Sequence, residues 1–308
     1  MARYLVTGGC GFIGSHLVER LLADGHEVRV LDDLSTGKRE NLPPGVPLHV
    51  ADVADAPAVT AALAGMDGCF HLAAVASVER SREAWLATHR TNLDGAIAVF
   101  DAARTAHPAG PVPVVYASSA AVYGDNPEVP LAETSAVRPL SAYGADKLGC
   151  ELHAAVAFGV HQVPTTGFRF FNVYGPRQDP ASPYSGVISI FAGRISRGQP
   201  ITIFGDGEQV RDFVYVADVV RTLAAAMVAM PPSARVFNVC TGRPTTVNAL
   251  VGTLAELAGR TVDRRTGPAR AGDIRVSIGD PARLIAAFGR SCAVELKDGL
   301  RDTLAWLG

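Results

Sequence analysis

The stretch Tyr143-Gly-Ala-Asp-Lys147 sets a phenol and an ammonium four residues apart, the spacing that stacks two side chains on one face of a helix. A free phenol ionises near pH 10, and a base useful at neutral pH needs a value near 7. Closing that gap takes roughly 4 kcal/mol. One cation about 4 Å away, at an effective dielectric of ~20, supplies about that much. The pair is therefore equipped for proton abstraction, with Tyr143 as the base and Lys147 favouring its ionised form. Ser119, in Tyr116-Ala-Ser-Ser119, ends an apolar run. A hydroxyl there can hydrogen-bond both the tyrosine oxygen and the substrate oxygen that loses its proton. Its neighbour Ser118 reads as a packing or backbone hydrogen-bonding residue.

A second chemical signal opens the chain. In VTGGCGFIGSHL, Gly8, Gly11 and Gly14 fall three apart, and Gly9, Gly11 and Gly14 fit G-x-G-x-x-G. Glycine suits a tight turn and a close approach of backbone to a pyrophosphate, and the helix that follows offers free N–H groups to the anion. A strand-like run precedes the loop, and Asp32 ends the next such run, the context a dinucleotide site requires. Asp32 is placed to accept hydrogen bonds from ribose hydroxyls and to repel a 2'-phosphate. That favours NAD over NADP, a preference that Lys38 and Arg39 weaken without reversing. Asp52, after the third apolar run, reads either as an adenine contact or as a helix cap.

To bring these groups together, the chain needs strands that end side by side. Residues 3–8, 27–32, 47–52, 68–74, 112–119 and 165–173 read as buried strands, with helical periods between them at 12–25 and 89–106. Ser141 is an N-cap for the helix that carries Tyr143 and Lys147, and Leu148, Leu152, Ala155 and Val156 form its apolar stripe. Alternation of this kind predicts an α/β fold: a doubly wound parallel Rossmann-type sheet with a smaller C-terminal substrate-binding α/β part. Residues 1–180 are assigned to the dinucleotide domain and 181–308 to the second, interleaved with the first. The Pro-, Gly- and Ser-rich segment 174–186 reads as a long loop.

Composition narrows the classes. Of 308 residues 48% are apolar and 19% charged, enough for a sizeable core and too little charge for disorder. A net charge of -2 argues against broad nucleic-acid binding. Five scattered cysteines match neither a zinc cluster nor a disulfide framework, so no metal is expected and a reducing cytoplasm suits them. The opening residues carry no secretory pattern, and no apolar run reaches the ~20 residues of a membrane helix. His71 reads as a strand-end packing residue and His16 as a space filler.

The motifs FHLAA, SSAAVYG, YGADK, FRFFNVYGPRQ, IFGDGEQVRDFVYVADV and FNVCTG follow one another along the chain. With them the chain resembles the extended short-chain dehydrogenase/reductase superfamily, and most of all its UDP-glucose (UDP-hexose) 4-epimerases. The resemblance implies a reversible oxidation. Tyr143 would take the C4 hydroxyl proton of a UDP-sugar while hydride passes to tightly held NAD. The 4-keto sugar would then turn about its diphosphate link and receive hydride on its other face. Lys147 would orient the nicotinamide ribose, and Ser119 would complete the catalytic set. NAD contacts are implied for Gly8, Gly11, Phe12, Ile13, Gly14, Asp32, Asp33, Asp52, Val53, Leu72, Ala73, Ala74, Tyr143, Lys147 and Phe170.

For the UDP-sugar, the resemblance implies Ser77, Ser119, Tyr143 and Val187 at the sugar and Asn172 at the diphosphate or sugar. Thr202 and Phe204 would flank the uracil, and Arg211, Arg270 and Asp273 would hold phosphates and ribose, a task that suits a guanidinium fork. Ser277 stands where a bulky tyrosine goes with plain hexoses, so a serine leaves room for an N-acetyl group. Relatives that eliminate water or decarboxylate carry acidic residues just before the VYG, where this chain has Ala120 and Ala121. Simple epimerisation is favoured. Ala76 stands where the family has a lysine, which keeps UDP-glucuronate open as a substrate. An NAD-dependent nucleotide-sugar dehydrogenase or reductase is the competing enzyme reading, and a silent nucleotide sensor would have no use for Ser119, Tyr143 and Lys147. A homodimer through helices at 82–106 and 142–160 is implied by the same analogy.

Overall fold

The computed structural model describes residues 1–182, 185–230, 232–269, 273–289 and 291–308. In chain order the first elements are β1 (Arg3–Thr7), α1 (Phe12–Ala23), β2 (Glu27–Asp32), β3 (Leu48–Val50), α2 (Ala56–Leu63), β4 (Gly68–His71), α3 (Val78–Glu83) and α4 (Trp85–His89). A π-helical turn, Arg90–Asp94, leads into α5 (Gly95–Ala103), then β5 (Val114–Ser119), α6 (Ala142–His161) and β6 (Thr165–Phe170). There follow β7 (Asn172–Tyr174), α7 (Val187–Ser196), β8 (Ile201–Phe204), β9 (Val210–Arg211), β10 (Phe213–Tyr215), α8 (Val216–Val228) and β11 (Ala234–Val239). The chain ends with β12 (Thr245–Thr246), α9 (Val247–Ala258), β13 (Arg264–Gly267), β14 (Val276–Ser277), α10 (Ala282–Phe288) and α11 (Leu296–Leu307).

Seven strands form one sheet in the order β11-β6-β5-β4-β1-β2-β3. The chain builds outward from β1 through β2 to β3, then returns to the other side of β1 for β4. That reversal is a topological switch point, and ligands of doubly wound sheets bind outside the strand ends there. Thr7 and His71 are register partners at that edge. Leu5, Val6, Val30, Cys69, Phe70, Val114 and Val115 are buried, as expected of parallel strands covered on both faces. The six strands read from sequence are all present, with three departures: 47–52 is an exposed edge strand of three residues and not a buried one, 165–173 is split at Phe171 into β6 and β7, and 68–74 stops at His71, where the N–H groups of Leu72 and Ala73 turn to the Thr7 side chain.

Two compact units emerge. The first holds residues 1–122, 141–169 and 220–237, and the second holds 123–140, 170–219 and 238–308. The chain therefore passes between them five times, an interleaving of the expected kind, and the expected boundary after 180 falls inside the 170–219 segment of the second unit. In particular β11, the seventh strand of the large sheet, comes from residues that were assigned to the second part. The second unit contains short pieces: the pairs β10-β7 and β13-β8, and the three-stranded β12-β9-β14. Its core includes Ile188, Phe191, Leu250, Leu254 and Leu300 from α7, α9 and α11, packed with Ile201 of β8 and Phe213 of β10.

Helix α6 reverses an expectation. Ser141 caps it as read, with its Oγ accepting from the Gly144 N–H at 3.1 Å. The buried face, however, is Gly144, Asp146, Lys147, Cys150, Glu151, Ala154 and Ala157. Of the expected apolar stripe, Leu152 is 63% exposed and Val156 52%, and Ala155 also points outward. Lys147 and Glu151 occupy the inner face because the sheet offers them partners there. Leu152, Ala155 and Val156 are left outside, and Leu148 is half-buried.

Candidate active site

Lys147 is buried on the inner face of α6, and its Nζ donates to the carbonyl of Ala117 at 2.9 Å. That bond fixes the ammonium at the C-terminal end of β5, 5.9 Å from the centroid of the Tyr143 ring. The two side chains thus meet, as their four-residue spacing requires, and the phenol stays half-buried. Ser119 is the last residue of β5, and its Oγ accepts from the Ala121 N–H at 3.1 Å. Its own proton remains available for another oxygen. The turn it starts contains Ala120 and Ala121 and no carboxyl group. Alternation along a strand sends Ser118 to the opposite side, where its hydroxyl donates to the Glu151 carboxylate at 2.5 Å. Ser118 therefore bonds a side chain, where packing or a backbone bond was expected.

The glycine loop joins β1 to α1 at the switch point. Gly8 has φ +69°, and a Cβ on it would stand 2.7 Å from the Ala73 nitrogen. Gly11 is the N-cap of α1, with no side chain capping the helix end and no acidic residue in the first turn. Phe12 and Ile13 start the helix, and a Cβ on Gly14 would overlap the Gly8 carbonyl oxygen. A cradle that any methyl group would fill, opening on an uncapped helix N-terminus, fits a dinucleotide pyrophosphate. Asp32 ends β2, its Oδ2 accepting from Cys10 N–H and its Oδ1 from Leu34 N–H, both at 2.9 Å. Burial pushes its carboxyl above the usual range, and those two main-chain donors pull it back. Each oxygen keeps a lone pair for a ribose hydroxyl.

Other residues expected at the cofactor are placed less uniformly. Asp33 is exposed, and its Oδ1 takes the N–H and hydroxyl of Ser35. Asp52 closes its own turn on the Ala54 N–H at 2.9 Å. Val53 is buried in the core, so only its main chain could meet a ligand. Leu72, Ala73 and Ala74 are half-buried, the first two beside Gly8, and Ser77, expected at the sugar, caps α3 by accepting from Arg80 N–H. Phe170 is half-buried and falls in the second unit.

His71 has a defined protonation state. Thr7 Oγ1 accepts from the N–H groups of Leu72 and Ala73, each at 3.2 Å, so its own proton goes to His71 Nδ1 at 2.8 Å. Nδ1 is an acceptor, and the imidazole is neutral with its proton on Nε2. Burial first, and the Lys147 charge second, depress its pKa to about 3. Its folded value lies below its unfolded value of about 6.5, so the stability it contributes is complete above that pH. It is lost as pH falls toward the folded value. We expect wild-type stability in urea to fall with acidification more steeply than that of His71→Asn, by on the order of 1 kcal/mol per pH unit below pH 6. Equal slopes would show that His71 is already protonated in the native state.

In the second unit, Arg211 on β9 faces Ser277 on β14 and Thr245 on β12 as register partners. Its guanidinium donates to Val210 O at 2.8 Å and to Asp273 Oδ1 at 2.5 Å. Burial lowers its pKa and Asp273 raises it. The neighbouring Asp212 is fully buried and accepts from Thr241 N–H and hydroxyl, Gly242 N–H and Gly279 N–H. Burial raises its pKa against those bonds. This carboxylate ties β9 to the segments around 241 and 279 and so sets where Arg211 and Ser277 stand. Thr202 and Phe204 are half-buried on β8, and Gln209 Nε2 donates to Phe204 O at 3.0 Å. Asn172 starts β7, with its N–H on Asp212 O, and Val187 opens α7. Arg270 lies outside the described residues.

Sequence reading did not single out Asp212, Glu151, Arg169 or Asn92. Asn92, in the π-helical turn, accepts from Val75 N–H at 2.8 Å and donates to Val75 O, which pins the segment after β4. Glu151 follows Lys147 at the same four-residue spacing that flagged Tyr143, a signal that was available. Among the described residues, no group of three or more His, Cys, Asp or Glu side chains is arranged to hold a metal ion.

Comparison with known proteins sets this geometry in context. The profile of the NAD dependent epimerase/dehydratase family matches residues 4–240. A UDP-glucose 4-epimerase of Mycolicibacterium smegmatis is 38% identical over 309 residues, covering 98% of this chain and 97% of that protein. The solved UDP-glucose 4-epimerase of Thermotoga maritima with UDP-glucose has a TM-score of 0.94 and 38% identity, covering 99% of this chain and 98% of the other. For the Thermus thermophilus UDP-glucose 4-epimerase complex with NAD, the TM-score is 0.92 at 39% identity, with the same coverage of 99% and 98%.

Proposed function

The chain belongs to the NAD dependent epimerase/dehydratase family, and on that basis we propose that it inverts C4 of a UDP-sugar with NAD as cofactor. The carrying observation is the buried Lys147 ammonium under the Tyr143 ring at the end of β5, next to a turn that offers no carboxyl group. Such a site can remove and return one hydroxyl proton and lacks an acid for further steps on a keto sugar. The similarity to UDP-glucose 4-epimerases points the same way. NAD held in the glycine cradle would supply the hydride acceptor, and then the donor, for C4.

The chain's own residues do the rest. Gly8, Gly11, Gly14 and the open N-terminus of α1 hold the pyrophosphate, and Asp32 holds the adenosine ribose. Tyr143 accepts the C4 hydroxyl proton, with Ser119 donating to the same oxygen. Lys147, fastened to Ala117 O, keeps positive charge beside the phenol throughout. The proton goes back to the oxygen it left, so the set ends a turnover as it began. In the second unit, Arg211 with Asp273 is assigned to the UDP moiety, and Ser277, the register partner of Arg211, to the space around the sugar's C2 substituent. The small Ser277 side chain favours a site that admits both UDP-glucose/UDP-galactose and their N-acetylated counterparts.

The test is direct. Purified protein is incubated separately with UDP-glucose, UDP-GlcNAc and UDP-glucuronate, and proton NMR follows the C4 configuration. Inversion at C4 of each of the first two, to UDP-galactose and UDP-GalNAc, is expected. Turnover of UDP-glucuronate alone would replace the hexose reading with a uronate one, and release of free NADH would replace epimerase with dehydrogenase.

We also assign the exposed apolar face of α6 to pairing with a second copy of the chain. Leu152, Val156 and Val160 stand one turn apart and more than half exposed. Val156 also lines a groove with Ile97, Phe100, Asp101, Arg104 and His161. A monomer in sedimentation would remove this assignment. No described helix is long and apolar enough to cross a membrane, and the five cysteines are free and buried, which suits a reducing cytoplasm.

A further inference from the structure

One turn beyond Lys147, on the same buried face of α6, lies an ion pair that the chemistry above does not use. Glu151 Oε1 accepts from Ser118 Oγ at 2.5 Å and from Arg169 Nε at 2.9 Å, and Oε2 accepts from the second Arg169 nitrogen at 2.7 Å. Both charged side chains are only 7% exposed. All three residues belong to the first unit, on α6, β5 and β6, and β5 and β6 are neighbours in the sheet. A surface ion pair is too weak and too mobile to set geometry, whereas a desolvated fork with every oxygen engaged holds one arrangement.

We propose that Glu151 and Arg169 are positioning residues for the reaction, acting through Ser118 to lock the end of β5 against α6. The argument is one of register. Tyr143, Lys147 and Glu151 follow at four-residue intervals, so they lie on one line along the helix. Lys147 grips Ala117 through its carbonyl, and Glu151 grips Ser118 through its hydroxyl. Two successive turns of the helix are thereby joined to two successive residues of the strand. Tyr143 lies one turn before Lys147 on that line, and Ser119 follows Ser118 on the strand, so each reacting group is one step from a residue that is held. With both bonds in place, helix and strand cannot slide or roll against each other, and the phenol and hydroxyl keep one separation. Arg169 completes the lock from β6 by fixing the rotamer of Glu151, which could otherwise turn away from Ser118.

This inference rests on the assignment of Tyr143 and Ser119 to catalysis, and the experiment separates the two. Glu151→Gln alone would strand the buried guanidinium and risk unfolding, so two other variants are used. Ser118→Ala removes one bond and leaves the ion pair. Glu151→Met combined with Arg169→Met removes both charges together, a replacement that buried pairs often tolerate. For each we expect kcat to fall about 10- to 100-fold with KM within about twofold of wild type, the pattern of misplaced reacting groups. Amide hydrogen exchange across residues 117–121 should quicken in the same variants, and this readout needs no turnover. A lowered melting temperature with wild-type kcat per folded molecule would reduce the cluster to a structural role and overturn the proposal. So would unchanged exchange at 117–121. Should the wild type epimerise no UDP-sugar, the functional reading falls, and the exchange measurement still decides whether the lock exists.

Discussion

Tyr143→Phe is expected to lower turnover by about 10²- to 10⁴-fold, the range for loss of a general acid–base group. The substitution is nearly isosteric. The ring keeps its place beside Lys147, whose ammonium is held independently by Ala117 O, so packing and charge at the end of β5 survive. Only the hydroxyl that carries the proton is lost. Binding of the UDP moiety is assigned to the second unit, so KM should move little, and NAD should remain bound because the glycine cradle is untouched. A fall in kcat with near-constant KM is the mark of an interaction made in the transition state. Initial rates from a coupled assay on UDP-galactose, with bound NAD counted by absorbance after denaturation, check both halves. Turnover within a few-fold of wild type would remove Tyr143 from the mechanism. Loss of NAD along with activity would mean that the phenol mainly holds the cofactor.

The parts of the molecule legible in the sequence were those governed by local pattern. Buried parallel strands read as unbroken apolar runs, and the glycine cradle and the Tyr143–Lys147 spacing both lie within a few consecutive residues. Longer-range choices were not legible. The orientation of α6 depends on Lys147 finding Ala117 and Glu151 finding Arg169 across the fold. Hydropathy alone turned Leu152 and Val156 inward, because it cannot weigh a buried ion pair against an apolar stripe. Strand β11 hid for a similar reason. It joins β6 only after the chain has built α7, β8 and α8, so its sheet is set by topology. In the second unit the strands are two to four residues long, too short to show a period. Their arrangement is held by Asp212, whose four accepted bonds join residues 29 to 67 positions away. Nothing local to Asp212 marks it as the organiser of that region.

Gly14→Ala is expected to destabilise the protein by about 1–3 kcal/mol and to weaken NAD binding at least tenfold, a change of about 1.4 kcal/mol. The added methyl group lands on the Gly8 carbonyl, with the Gly8 carbonyl carbon and Gly9 Cα each 2.8 Å away. All three are backbone atoms, so no side chain can turn aside. Gly8 has little room to give way, because the Leu72 and Ala73 backbone fills the space that a Cβ on it would take and its φ is already positive. The start of α1 must therefore swing outward, carrying with it the N–H groups assigned to the pyrophosphate. Gly252 provides the matched control. It lies within α9 with nothing inside 4 Å of its added Cβ, so Gly252→Ala should stabilise the fold by up to about 1 kcal/mol through helix propensity and leave NAD affinity alone. Urea unfolding gives the first quantity for both variants, and calorimetric titration of NAD into stripped protein gives the second. A Gly14→Ala protein that binds NAD as tightly as wild type would show that the turn after β1 only joins strand to helix, and the dinucleotide would have to be sought elsewhere.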